Sequence, residues 1–240
     1  IMNKYGSWPI SRQVWADVIN ALEAVKPRYI IFDMLFIKPN LADVAADKYF
    51  VDTVRKNKNV YLSMNFDNYS QDTRKALDLN DKFKLKIKDG FLFDNGYITF
   101  SNCRTLMSQL LDATKNVGII NVTRDEDGVI RNVTPIFKYR KNYYPNMTLL
   151  AALNYLNQDS VAIKNNIIIL DKKHIIPLDN TKRAVLNWYS KPDNETSVYK
   201  QIPFYKVVNA MLNNDVNFLR ENFADKIVYI GTTATSLSDI

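Results

Sequence analysis

The chain has 240 residues, of which 47% are hydrophobic and 24% are charged, with only six glycines and eight prolines. These values are those of a globular protein with a sizeable core, and they exclude disordered, collagen-like and linker-dominated chains. The net charge of +7 would permit contact with nucleic acid or anionic lipid. The abundance of Asn, Lys, Ile and Tyr favours a plain solvated basic surface instead, and we expect no nucleic-acid partner.

The sequence has no run of about 18 apolar residues and no signal peptide at its start. It begins at Ile1 and ends at Ile240, which we interpret as a fragment of a longer protein. The lack of a membrane segment in this stretch therefore says nothing about the parent protein.

The first quarter of the chain reads as helix, strand, helix, strand. Apolar residues at helical spacing predict helices over 11–24 and 43–56, the first capped by Ser11 and stopped by Pro27. Short apolar runs at 29–32 and 60–64 predict strands. This order indicates a βαβ unit with parallel strands.

Residues 67–96 are polar and form a candidate insertion. Within them, Lys82 to Lys88 alternates lysine with apolar residues, which places the lysines on one face of a strand. We interpret this stretch as an edge strand protected by lysine; a membrane-surface role is the alternative.

The remaining two thirds continue the mixture of helices and strands. Helices are predicted over 101–114, 147–156 and 204–212, and strands over 184–188 and 227–230. Hairpins are predicted to join 119–122 to 129–137 and 167–170 to 174–176. The pattern indicates a three-layer α/β fold in which a mixed, largely parallel sheet has helices on both faces and inserted β-hairpins. We expect residues 1–240 to form a single domain.

The residue types that carry catalysis or bind metals are scarce. His174 and Cys103 are the single histidine and the single cysteine, which leaves zinc sites unsupported and excludes an internal disulfide. We expect no catalytic residue, no metal and no cofactor.

The acidic run from Asp125 to Gly128 raises the alternative of a calcium loop. Aligned on Gly128, the first and last ligand positions of an EF-hand would be Thr123 and Thr134, where acids are required. A reverse turn is the better interpretation.

Asp33 closes the first apolar strand, and Gly231-Thr232-Thr233 follows the last one. The carboxyl ends of parallel strands are where open α/β sheets bind ligands. We therefore predict a ligand site formed by Asp33, Asp47, Gly231, Thr232 and Thr233. The alternative for Asp33 is a structural bond to nearby backbone amides. Further charge would come from Arg12 and Arg131 if the fold brings them near.

Several segments together resemble a known family, in an order that spans nearly the whole chain. They are Trp8-Pro9-Ile10-Ser11-Arg12; Phe32-Asp33-Met34-Leu35-Phe36 with Asp47; Gly118-Ile119-Ile120-Asn121-Val122 with Asp125, Asp127-Gly128-Val129 and Arg131; Leu186-Asn187-Trp188-Tyr189; and Lys226-Ile227-Val228-Tyr229-Ile230-Gly231 with Ala234, Leu237 and Asp239. The family they resemble is CHASE type two, the cyclase- and histidine-kinase-associated sensory extracellular domain. Residues 67–96 match none of its motifs.

The resemblance implies a non-enzymatic sensor on the extracytoplasmic side of a bacterial membrane receptor. It implies a membrane anchor before the domain, and transmembrane helices and a cytoplasmic cyclase or histidine kinase after it. The expected partners are a small-molecule or ion ligand and a second copy in a homodimer. Two alternatives stay open: an α/β hydrolase or transferase that uses Asp33 and the threonines after Gly231, and a purely structural dimerisation module.

Overall fold

The computed structural model describes residues 9–68, 79, 81–88, 96–188 and 199–232. These residues form six α-helices: α1 (Arg12–Glu23), α2 (Val44–Lys56), α3 (Ser108–Ala113), α4 (Met147–Tyr155), α5 (Phe204–Leu212) and α6 (Val216–Phe223). They also form fourteen strands: β1 (Tyr29–Asp33), β2 (Val60–Asp67), β3 (Lys86–Lys88), β4 (Thr99–Phe100), β5 (Asn102–Arg104), β6 (Val117–Ile119), β7 (Asn132–Val133), β8 (Ile136–Tyr139), β9 (Asn142–Pro145), β10 (Ser160–Lys164), β11 (Ile167–Ile169), β12 (Ile175–Pro177), β13 (Ala184–Val185) and β14 (Ile227–Gly231). A short 3-10 helix covers Asp81–Phe83.

The chain divides into two compact units. The first unit comprises residues 1–61, 106–114 and 188–240, and the second comprises residues 62–105 and 115–187. Parallel and antiparallel strand pairs both occur, and the architecture is mixed α/β, as the sequence predicts. The single domain over residues 1–240 stays a prediction.

In the first unit, α1 and α2 begin where their capping residues stand. The side chain of Ser11 accepts a hydrogen bond from the backbone N–H of Gln13, and that of Asp43 accepts one from Ala46. Such caps satisfy amides that a helix leaves unpaired at its start. The positions at helical spacing on each helix are buried as predicted, among them Val18 and Phe50.

The three strands of the first unit run parallel. β1 pairs with β14 along its whole length, from Tyr29 opposite Ile227 to Asp33 opposite Gly231. On its other side β1 pairs with the start of β2, with Ile30 opposite Val60. The predicted βαβ unit is confirmed, and the last strand of the chain shares its sheet.

Aromatic rings fill the core of the first unit between β1 and its helices. Trp15 of α1 meets Phe32 of β1 edge to face, with ring centroids 5.8 Å apart. Trp15 also contacts Phe204 of α5 at 4.7 Å, and Phe50 of α2 contacts Phe32 at 6.1 Å. Rings in these arrangements each bury a large apolar area, so α1, α2 and α5 are fixed on one strand.

The second unit is built from smaller sheets. β10 and β11 form an antiparallel hairpin, β12 extends it on one side, and β3 pairs with β10 on the other. β8 and β9 form a second hairpin, with β4 beside β8. The later part of β2 pairs with β5 and β6. A buried cluster that includes Leu149, Val161 and Ile168 packs α4 onto this unit.

Three predicted elements differ from the observed ones. The hairpin between 119–122 and 129–137 is wrong: β6 ends at Ile119 and pairs with β2, whereas β7 pairs with β13. Val117, Gly118 and Ile119 are all buried, so the strand lies where both of its faces are covered. The Asp-Gly signal marks a turn correctly without fixing which strands pair across it.

The helix predicted over 101–114 begins only at Ser108, because residues 102–104 form β5 against the end of β2. Short apolar runs fit both a helical and an alternating pattern. The lysine-rich strand is shorter than predicted and covers Lys86–Lys88, but it is an edge strand of its sheet, as expected.

Candidate functional site

Two of the predicted site residues lie side by side at the carboxyl ends of neighbouring strands. Asp33 ends β1 and Gly231 ends β14, and the two are direct register partners. A methyl group placed on Gly231 would be 3.4 Å from the Cβ atom of Asp33. Ile30, Ile31 and Phe32 are fully buried, so the polar character of β1 begins abruptly at the exposed Asp33.

The charge of Asp33 acts on the hydroxyl group of a tyrosine on the neighbouring strand β14. Tyr229 lies two residues before Gly231 and faces the same side of the sheet. Desolvation raises the pKa of the Tyr229 hydroxyl, and the negative charge of Asp33 raises it further. Thr232 follows Gly231 directly, while the predicted contact Thr233 lies outside the described residues. The predicted ligand site would combine the Asp33 carboxylate with the Thr232 hydroxyl, and it stays a prediction.

The position of β1 within its sheet favours a crevice at this edge. β1 has β2 on one side and β14 on the other, and all three strands are parallel. Chains that leave such a central strand and its neighbour diverge to opposite sides, which opens a space at the carboxyl ends. Asp33 lies at the carboxyl end of β1, and a crevice beside it stays a prediction, because the chain after Thr232 is outside the described residues.

The structure places Asp47 in a different role. Its carboxylate forms an ion pair with Arg12, with side-chain exposures of 9% and 15% respectively. It also accepts a hydrogen bond of 2.6 Å from the backbone N–H of Asn40. Arg12 in turn donates to the carbonyl oxygen of Lys38 at 2.5 Å. The pair thus ties the loop that follows β1 to the start of α1, and a ligand contact at Asp47 stays a prediction.

Arg131 is occupied by the acidic turn. Its guanidinium binds Asp127 at 2.7 Å and Asp125 at 3.1 Å, and these contacts lower the pKa of Asp127. Gly128 has a φ of +81° and donates to the carbonyl oxygen of Asp125 at 2.8 Å. The run is therefore a reverse turn, as interpreted from the sequence. Within the described part of the chain, no group of three or more His, Cys, Asp or Glu side chains could hold a metal ion.

The single cysteine and the single histidine have ordinary environments. Burial raises the pKa of the Cys103 thiol to about 12, and Asp67 adds to this effect. His174 lies in the turn between β11 and β12, where its Nδ1 atom is 2.9 Å from the Asp171 carboxylate. A thiol with so high a pKa is a poor nucleophile at neutral pH.

A groove between α1 and α2 escaped the sequence analysis. It is an open groove with a volume of about 720 Å³. Its lining is polar: Asn20, Glu23, Ala24, Tyr49, Asp52, Thr53, Lys56 and Asn57. The Oε1 atom of Glu23 is buried without a hydrogen-bond partner among the described residues. The sequence gives one sign of this groove. Glu23 is an acidic residue at the carboxyl end of α1, where the helix dipole disfavours a negative charge.

None of the helices in the described ranges is both long and apolar enough to cross a membrane.

Comparison with known proteins yields one match. The model of the CHASE2 domain family matches residues 1–240, the whole chain. No curated protein and no solved structure matches it. Arg12, Asp33 and Gly231 belong to the segments that resemble the family. Asp33 and Gly231 end neighbouring strands, and Arg12 bonds to Asp47 and to the loop that follows β1. The chain therefore belongs to the CHASE2 domain family, a family of sensory extracellular domains.

Proposed function

We propose that the chain is the extracytoplasmic ligand-binding domain of a bacterial transmembrane receptor. A small molecule or ion binds beside Asp33 and Gly231, and the signal passes to a cytoplasmic output such as a nucleotide cyclase or a histidine kinase. The observation that carries this proposal is the register of β1 and β14, which puts Asp33 next to Gly231 in a chain of a sensory family.

The site and the output segment are close in the chain. β14 ends at Gly231, and the proposed output segment, residues 233–240, begins two positions later. A ligand at Asp33 and Thr232 would contact the chain where it leaves the sheet. Binding there biases the output if the ligand prefers one of two arrangements of that segment. A coupling of about 1–3 kcal/mol changes output severalfold or more.

The non-enzymatic role is part of the same proposal. Burial and the negative charge of Asp33 raise the pKa of the Tyr229 hydroxyl, which disfavours its ionised, nucleophilic form. Screening the chain for hydrolysis of phosphoesters and esters tests the alternative enzymatic reading. We expect no turnover above that of buffer.

The binding site is tested first on the isolated chain. Thermal-shift screening with metabolites and inorganic ions identifies a ligand, and titration calorimetry then measures its affinity. We expect D33A and T232A to weaken binding at least about tenfold, because each removes a polar contact in a partly desolvated site. E126A removes an exposed acid from the turn before Gly128 and serves as the matched control. Unchanged affinity in both site variants would place the ligand elsewhere, and the groove lined by Glu23 and Tyr49 is then the next candidate.

The output route is tested in the full-length receptor in membranes. Flexible residues inserted after Asp239 should abolish the ligand's effect on output and leave its affinity intact. Regulation that survives a long insert would rule out transmission through this segment.

A further inference from the structure

The outer edge of β14 has backbone N–H and C=O groups that pair with no other described strand. β14 pairs with β1 on one side, and no described strand pairs with its other side. Its sequence is Ile-Val-Tyr-Ile-Gly, without a charged residue. The side chains of Ile227 and Tyr229 are 41% and 56% exposed. An uncharged, exposed edge strand is a template for another strand.

The register shows which backbone groups face outward. Tyr29 donates its N–H to the carbonyl oxygen of Lys226, and Tyr29 lies opposite Ile227. In a parallel pair this pattern turns the N–H and C=O groups of alternate residues toward the neighbour. Val228 and Ile230 therefore bond to β1, and Ile227, Tyr229 and Gly231 direct their backbone groups to the outer edge. No hydrogen bond joins those outward groups to another described residue.

Two other strand edges of the same chain are protected. β3 presents the exposed residues Lys86 and Lys88 on either side of Ile87, and lysine is a common guard of sheet edges. β12 ends in Pro177, which cannot donate to a further strand. β14 carries neither lysine nor proline, although it is longer than either of these strands.

We propose that β14 is the interface of a homodimer, in which the β14 strands of two copies pair antiparallel about a two-fold axis at Tyr229. In this register Tyr229 faces Tyr229 of the second copy, and Ile227 faces Gly231 of the second copy. All three outward-facing residues then take part, and each facing pair exchanges two hydrogen bonds. A strand that pairs with itself in this way satisfies the self-complementarity that two-fold symmetry demands.

Side chains and charges fit the antiparallel direction. The two Tyr229 rings become cross-strand neighbours, an arrangement that stabilises sheets. Lys226 precedes β14 at one end, and Asp33 of the neighbouring strand β1 lies opposite Gly231 at the other end. Antiparallel pairing brings the basic end of one copy towards the acidic end of the other. A parallel arrangement would set like charges together.

The interface is small, so the dimer should be weak for the isolated chain and stronger where a membrane anchor raises the local concentration. The inference does not depend on the proposed ligand site, and a failure of one leaves the other standing.

Cross-linking at the two-fold axis tests the proposal. Cys103 is too unreactive to interfere, and new cysteines are introduced singly. Y229C should be joined efficiently by a short bismaleimide, because its two copies face each other. Y155C places an equally accessible cysteine, 50% exposed in the wild type, on α4 and should remain monomeric under the same conditions. The proposal is overturned if Y229C cross-links no better than Y155C.

Sedimentation velocity of the whole chain over a range of concentrations gives the second readout. Y229P removes an outward N–H and leaves the bonds to β1, so we expect the dimer dissociation constant to rise at least about tenfold. Far-UV circular dichroism and the melting temperature show whether Y229P is folded; if it is not, Y229K tests the same edge by adding charge. A dimer that both folded variants leave intact, or a wild-type chain that is monomeric at every concentration, would contradict the proposal.

Discussion

The carboxylate of Asp47 is bound by the guanidinium of Arg12, 35 positions earlier in the chain. Arg12 is the first residue of α1, and Asp47 lies in the first turn of α2. Both side chains are largely buried, and both bond further to the loop between β1 and α2. The ion pair therefore holds in place the loop that follows Asp33.

Breaking this pair should be costly. D47N leaves the Arg12 charge buried without its partner, and we expect a loss of about 3–5 kcal/mol in the free energy of unfolding. The matched control is D225N, which breaks the exposed pair between Arg28 and Asp225, with side-chain exposures of 37% and 77%, and should cost less than about 1 kcal/mol. Urea unfolding measures both. Equal losses would mean that the Arg12 pair is not structural.

Gly118 should tolerate no side chain. A Cβ atom there would lie 2.4 Å from the Cα atom of Met147, at the start of α4. Backbone cannot move aside as a flexible side chain can, so we expect G118A to cost about 3 kcal/mol or more. In the control G231A the new methyl group meets Asp33 at 3.4 Å, an ordinary contact, and stability should stay within about 0.5 kcal/mol. A small effect of G118A on urea unfolding would show that β6 and α4 can separate.

The first unit was the more predictable part of the chain. α1, α2 and α5 are amphipathic helices, α1 and α2 begin at capping side chains, and β1 and β14 are short apolar runs, so pattern and propensity agree. Apart from β2 and α4, the second unit consists mainly of strands of two to five residues, which are too short for a period of two to be distinguished from a helical period. Contacts with other parts of the folded chain, rather than the local sequence pattern, determine where those strands form.

The site was predicted in the same uneven way. Asp33 and Gly231 could be placed together because the ends of parallel strands meet at one edge of a sheet. The true partner of Asp47 could not be found, because nothing in a sequence reports an ion pair across 35 positions. The groove beside Glu23 was missed for a similar reason: it exists only where two helices pack.

Cys103 should be nearly inert in the folded protein. With a pKa of about 12, almost none of the thiol is ionised at about pH 8, and the thiolate is the reactive form. We expect iodoacetamide to alkylate the folded chain at least about a hundredfold more slowly than the urea-unfolded chain. Mass spectrometry of quenched samples gives both rates. Similar rates in the two states would mean that β5 does not shield the thiol.

Glu23 should make stability depend on pH. Burial raises the pKa of its carboxyl above the ordinary 4.5, and a hydrogen bond from Asn59 only partly offsets this. The folded state therefore holds the proton more tightly than the unfolded state, and stability falls as the pH rises from about 4.5 through the folded pKa. The cause is that ionisation places a negative charge on an oxygen, Oε1, that has no partner among the described residues. E23Q cannot ionise, so its stability relative to the wild type should increase over that pH window and then level off. Urea unfolding at a series of pH values measures the difference, and E126Q, which changes an exposed acid of the acidic turn, is the control that should show no such rise. A constant difference between E23Q and the wild type across the window would mean that Glu23 titrates as it does in the unfolded chain.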